Sequence, residues 1–212
     1  CVLFKIYLYF LMIKFDVLLS EIFNIPLAVQ DEVFLSQLTS FVKDNDYLQF
    51  IKQTNGGYYY EMSLHIYGLL PELNNVFFIN NVLKEKCSFW RPSYFSFAQD
   101  IFGNQFVFSN GAILMLNQET GAEEQMATSF LEWITVITTD PTFYTGNVFA
   151  NLLTNKKVTR LCPKIPFVLG GVYEESNLYS VEFPRYIEFY SDIEQQIRGI
   201  PDGTTFVFSI EE

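Results

Sequence analysis

His65 is the only histidine in the chain, and this removes most Ser-His-Asp and His-ligated metal designs. A Ser-His-Asp relay needs a histidine beside its nucleophile, and His-ligated metal sites usually draw on more than one. His65 also falls within Leu64 to Tyr67, an apolar stretch that reads as a strand. Cys87 is the thiol that could pair with it. The context Lys84-Glu85-Lys86-Cys87-Ser88 favours a thiolate only mildly, and a buried or incidental cysteine is the commoner case. Cys1, Cys87 and Cys162 are odd in number and far apart, with no CxxC or CxxxH spacing. They fit reduced thiols in a cytosol better than a disulfide framework or a zinc site.

The acidic pairs Glu123-Glu124 and Glu174-Glu175 could in principle do proton transfer. Adjacent residues of a strand point to opposite faces, however, so neither pair forms a dyad by spacing, and a solvated edge suits them better. Gly170-Gly171 is followed by no Lys-Ser/Thr and sits in no GxGxxG pattern, which makes it a turn rather than a phosphate loop. Trp90 and Trp133 read as core residues, Trp133 because it lies on a helical stripe. The residues therefore assemble no active site, and no cofactor or metal is expected.

The elements that would carry these residues follow from apolar periodicity and turn chemistry. Val33, Phe34, Gln37, Leu38, Phe41 and Val42 share a helical face after Asp31. Tyr47, Phe50 and Ile51 place a second helix behind Asp46 as N-cap, and Asn55-Gly56-Gly57 stops it. Tyr58 to Tyr60 and Leu64 to Tyr67 read as short strands. Beyond Pro71, Leu73, Val76, Phe77, Asn80 and Leu83 predict a helix. Tyr94 to Ala98, Gln105 to Ser109 and Ala112 to Leu116 then make a meander, its last two strands joined by Asn110-Gly111, and Gln118-Glu119-Thr120-Gly121 turns into a fourth strand, Glu124 to Ala127. Ser129 and Glu132 form a capping box for a helix bearing Phe130, Trp133, Ile134 and Ile137, which Asp140-Pro141 ends. Val148, Phe149, Leu152 and Leu153 predict another helix.

Asn155-Lys156-Lys157 marks the internal boundary. The tail beyond it shows loop punctuation at Pro163, Pro166 and Gly170-Gly171. It also carries a helix around Ile193 and Ile197 closed by Gly199, and a last strand with Phe206, Phe208 and Ile210 inward. The expected organisation is an apolar segment at 1–11, an α+β domain at 12–157 and a C-terminal extension at 158–212 packed on it. Residues 1–11 are too short an apolar run for a membrane span and lack a basic n-region or cleavage site. The bulky residues after Cys1 are poor for a lipoprotein tether, and initiation at Met12 is expected.

Half of the 212 residues are apolar, and 23 Phe and 13 Tyr supply most of the aromatic content, so a sizeable core is within reach. The 24 acidic against 13 basic side chains leave a formal charge of -11. Such a field repels phosphate backbones and argues against direct nucleic-acid binding, while it would speed the encounter with a basic partner. Acidity alone is more often a solubility feature.

In family terms, Asp46-Tyr47-Leu48-Gln49-Phe50-Ile51-Lys52-Gln53-Thr54-Asn55-Gly56-Gly57-Tyr58, followed by Ile66-Tyr67-Gly68, resembles the helix, Asn-Gly-Gly and strand signature of the SUKH superfamily, the Smi/Knr-like proteins. Tyr94 to Asp100, Gly103 to Phe106, Leu116 to Gly121 and Ser129 to Ile134 resemble its strand, hairpin, acidic turn and closing helix, in the family's order across about residues 31 to 140. The resemblance implies an antiparallel-rich, curved α+β sheet with flanking helices, here with a small C-terminal α/β appendage. It implies no catalytic residue, and it implies a cytoplasmic immunity protein that neutralises a bacterial toxin, often a nuclease, by covering its active surface. Eukaryotic relatives act instead as intracellular regulatory scaffolds, so the family alone does not decide between the two. The partner expected here is a basic protein toxin, met by Asp100, Glu119, Glu123, Glu124, Glu174 and Glu175 at turns and edges. Homo-oligomerisation stays open.

Overall fold

The computed structural model describes residues 32–69, 75–154, 159–201 and 203–204. The segment 1–11 with the start at Met12, Pro71 and Leu73 at the head of the helix expected there, the boundary at Asn155-Lys156-Lys157 and the strand around Phe206, Phe208 and Ile210 lie outside the described residues.

The chain begins with helices α1 (Glu32–Phe41) and α2 (Asn45–Thr54). Asp44, not Asp46, caps α2: its Oδ1 accepts from Tyr47 N at 2.9 Å, while its Oδ2 accepts from Phe130 N at 2.7 Å. One carboxylate thus serves the N-termini of two helices far apart in sequence. Asn55, in the left-handed region, ends α2, and Gly56 follows at φ 73. A Cβ on Gly56 would fall 2.4 Å from the Ile66 carbonyl oxygen, so the turn can press against the next strand only as glycine.

Six antiparallel strands follow in sequential order: β1 (Gly57–Tyr59), β2 (Leu64–Ile66), β3 (Phe95–Gln99), β4 (Gln105–Ser109), β5 (Ala112–Leu116) and β6 (Glu123–Ala127). The β4–β5 hairpin closes on Asn110 and Gly111, both at positive φ, the requirement of a type I′ turn. Register shifts between Ser96 and Ala98 and between Ile113 and Leu114 add the local bend that curves a sheet. Helix α3 (Val76–Lys86) enters between β2 and β3 and is capped by Asn75. Its Asn80 side chain brackets Ser96, donating to the carbonyl at 2.7 Å and accepting from the amide at 2.8 Å.

Helix α4 (Phe130–Thr139) starts where Ser129 Oγ accepts from Glu132 N at 3.2 Å. The Glu132 carboxylate returns to the Thr128 amide, one residue earlier than a standard capping box. Asp140 then caps α5 (Pro141–Thr145). The predicted helix over Val148 to Leu153 is a 3-10 helix, Asn147–Leu152, with Val148 exposed rather than inward. Gly146, in the left-handed region, separates it from α5.

The extension contains a pair of strands that the sequence reading lacked, β7 (Thr159–Pro163) and β8 (Leu178–Glu182), joined antiparallel, followed by α6 (Arg185–Ile197). Tyr186, Ile187, Tyr190 and Ile193 of α6 enter the same buried cluster as the sheet, α2, α3 and α4. A second cluster, Ile101, Phe102, Ala150, Leu153, Leu161 and Leu178, forms where the turn after β3 meets the 3-10 segment and the β7–β8 pair. The architecture is α+β, with an antiparallel sheet, flanking helices and a small second sheet.

Candidate protein-binding surface

The six carboxylates expected on the surface divide into two kinds. Asp100 and Glu119 are each only 4% exposed, so they do not face solvent. Asp100 Oδ1 accepts from Phe102 N and Asn104 N, both at 2.9 Å, and Oδ2 accepts from Asn104 Nδ2 at 2.8 Å. It ties the turn between β3 and β4. Burial pushes its carboxyl up to about 7, against the pull of those donors and of the Arg160 charge. Asn104 passes the link on, its Oδ1 accepting from Gln118 N at 3.1 Å.

Glu119 stands in the next turn, its own amide held by Asn117 Oδ1 at 3.0 Å. Its carboxylate accepts from Phe167 N at 3.1 Å and Val168 N at 2.8 Å. These amides open a short 3-10 turn, Phe167–Leu169, in the extension. Burial raises the Glu119 carboxyl while the two amides hold it down. Glu119 is thus a latch between the central sheet and the extension. Sequence spacing could not reveal this role, because both partners are backbone groups 48 and 49 residues away. Replacing Glu119 by Ala should cost about 2 kcal/mol by leaving two amides without acceptors; a urea midpoint equal to wild type would contradict the latch.

Glu123, Glu124, Glu174 and Glu175 are solvent-facing. Glu123 and Glu124 lie on β6, the outer strand of the sheet, where charge discourages pairing with a second chain. Glu123 forms an ion pair with Arg91. Glu174 and Glu175 follow the 165–173 loop, with Glu175 Oε1 3.4 Å from Asn151 Nδ2. No ion pair to Glu124, Glu174 or Glu175 occurs among the described residues.

The loop before them presents large apolar side chains to water: Ile165 at 57%, Val168 at 43%, Val172 at 50% and Tyr173 at 59% exposed. A scan for titratable motifs passes over it. Only the cluster of apolar residues among Pro163, Pro166 and Gly170-Gly171 could have drawn attention to it. Beside it, Val168, Leu169, Ile197, Ile200 and Pro201 contribute to a groove of about 660 Å³, with the Arg198–Glu194 ion pair on its wall.

The groups with nucleophilic or acid–base chemistry are placed inside. His65 is buried, stacked on Tyr58 with ring centroids 4.1 Å apart. Cys87 is buried and its thiol is pushed up to about 12 by desolvation, with Glu194 adding to the rise; burial also raises Cys162. Neither thiol has the depressed pKa of a reactive cysteine. Among the described residues no group of three or more His, Cys, Asp or Glu could hold a metal ion, and no helix is long and apolar enough to cross a membrane.

Residues 44–135 match the family model of SMI1 / KNR4 (SUKH-1). The match runs from the Asp44 cap through the whole six-stranded sheet into α4. The fold is similar to the crystal structure of Atu4351 from Agrobacterium tumefaciens, with a TM-score of 0.55 over 80% of this chain and 82% of that one, at 12% sequence identity. No curated protein matches the chain. The SUKH-1 match supports a protein-interaction or immunity-type role; the residues after 135, the extension among them, lie beyond it.

Proposed function

From a chain that carries a SUKH-1 domain of the SMI1/KNR4 family over residues 44–135, we propose an immunity protein that binds a cognate bacterial toxin in the cytoplasm and occludes its active surface. The family match carries this reading. Two physical features support it. The formal charge of -11 would accelerate encounter with a basic toxin. The exposed carboxylates Glu123, Glu124, Glu174 and Glu175 would guide its orientation, while Asp100 and Glu119 act from inside by fixing turns. The protein acts by stoichiometric cover rather than turnover, and it does so without a cofactor.

The test is co-expression with the product of the neighbouring gene. A tight complex that restores growth to cells carrying that gene is the expected result. Growth arrest that persists despite abundant, folded protein would overturn the immunity reading. Reversing Glu123 and Glu124 to Lys should slow association and flatten its salt dependence more than it changes dissociation.

A further inference from the structure

We propose that the loop from Ile165 to Tyr173 is the apolar anchor of the partner interface, with Glu174 and Glu175 as its charged rim, and that it fits a protein surface whose apolar cleft is bordered by Lys or Arg. The proposal deepens the binding role proposed above and rests on it, but it places the anchor in the extension, outside the segment that matches the family.

The loop is built to hold its shape. At its base, Lys164 N donates to the Asn177 carbonyl at 2.7 Å. The Asn177 side chain accepts from Ile165 N at 2.8 Å and donates to the carbonyls of Ile165 and Val172 at 3.0 and 3.1 Å, clamping both ends of the loop with one amide. Pro166 O accepts from Leu169 N and Gly171 N, both at 3.0 Å. A Cβ on Gly171 would fall 1.9 Å from Ile165 O, so the closure is open only to glycine. Glu119 latches the turn from below. Phe167 stacks on Tyr173 with centroids 3.8 Å apart, and both meet Phe102 edge-on.

Beyond the ring contacts of Tyr173, the folded chain leaves about half of each of these four apolar residues toward water. Held in one shape, they offer a partner apolar area at low ordering cost, which is the property that separates a strong interface from a merely large one. The occupant follows from charge. Glu174 and Glu175 stand beside the apolar cluster with no ion pair among the described residues, so an apolar surface bordered by cations is complementary and one bordered by carboxylates is repelled.

The experiment uses a displayed random peptide library selected on the immobilised full-length protein. Enriched peptides should combine apolar or aromatic residues with Lys or Arg. Their affinity should fall at least about thirty-fold for Tyr173→Ser combined with Val172→Ser, and several-fold, with a flatter salt dependence, for Glu174→Lys combined with Glu175→Lys. Val33→Ser, on an exposed position of α1, should bind as wild type. Circular dichroism and urea midpoints confirm that each variant is folded.

A library that yields no binder, binders without basic residues, or binders that hold the Tyr173 and Val172 variant as tightly as wild type would overturn the proposal. These outcomes do not depend on the growth test. Peptides that bind as expected without growth rescue would retain the surface and remove the toxin. Rescue that survives loss of Val172 and Tyr173 would retain the toxin and remove the surface.

Discussion

Replacing Asp100 by Asn is expected to remove a large part of the fall in stability that the wild-type protein shows as pH rises from about 4 to about 7. Burial holds the Asp100 carboxyl at about 7 in the folded chain against 3.8 for the free group. Below the lower value both states are protonated and the group is neutral to stability. Between the two values the unfolded chain has released its proton while the folded chain retains it. The unfolded state then binds fewer protons, and stability declines with pH until the folded group ionises as well. The displacement corresponds to a loss on the order of 4 kcal/mol. Glu119, raised in the same direction by burial, adds a slope of the same sign, so the difference between wild type and Asp100→Asn isolates the first group. Urea midpoints across this range give the answer, and parallel curves for the two proteins would contradict it. Asn retains an acceptor for the amides of Phe102 and Asn104, which keeps the turn while removing the charge.

The same residue shows what a sequence can and cannot disclose. The β4–β5 hairpin was legible to the residue, because Asn110-Gly111 fixes a turn type and the turn type fixes the register of both strands. The Asn55-Gly56 stop and the Ser129 cap were legible for the same reason: their chemistry is satisfied within a few residues. Sequence shows only neighbours and points to Asp46 as the cap of α2, whereas Asp44, the cap in the structure, is secured by a second bond to Phe130, 86 positions on. Strands β7 and β8 left no alternating trace, since every residue of β7 is buried and its partner strand begins fifteen residues further on.

The candidate site followed the same division. The pairs Glu123-Glu124 and Glu174-Glu175 could be placed outside from their loop and edge context. Asp100 and Glu119 could not be recognised as internal, because backbone amides satisfy them and amides carry no signature in sequence. The inner polar layer was hidden too. Arg160 is fully buried. With the Gln99 amide oriented to satisfy its neighbours, the Gln99 oxygen accepts from Arg160 Nε at 3.2 Å, and the nitrogen donates to the hydroxyls of Tyr186 and Tyr67 at 2.9 and 3.2 Å. Nothing about Thr-Arg-Leu-Cys announces a buried cation, because its side-chain partner Gln99 comes from β3, far away in sequence.

Phe97→Ala is expected to cost about 3–5 kcal/mol, the range for deleting a buried aromatic ring, a large share of the roughly 5–15 kcal/mol that holds most domains together. Phe97 is the meeting point of the main core. Its ring centroid lies 4.6 Å from that of Phe108, 4.9 Å from Trp133, 5.5 Å from Tyr47 and 5.8 Å from Phe130. Three of these contacts are edge-to-face or nearly so, a geometry that adds to area burial because ring edges meet ring faces. Removing the ring leaves a void bordered by the sheet, α2 and α4, and the shared Asp44 cap, which ties the N-termini of the two helices, opposes their closing on it. Phe97→Leu retains most of the volume and should cost about 1.5 kcal/mol or less. A lower urea midpoint with an unchanged denaturant slope is the signature of lost stability alone, and a loss for Phe97→Ala below about 1.5 kcal/mol would show that α2 or α4 can collapse inward. Phe97 belongs to the main cluster, whereas Phe102 and Phe167 beneath the extension loop belong to the second. Under conditions where Phe97→Ala is still folded, its binding should therefore match wild type, whereas Glu119→Ala should weaken binding at a smaller cost in stability.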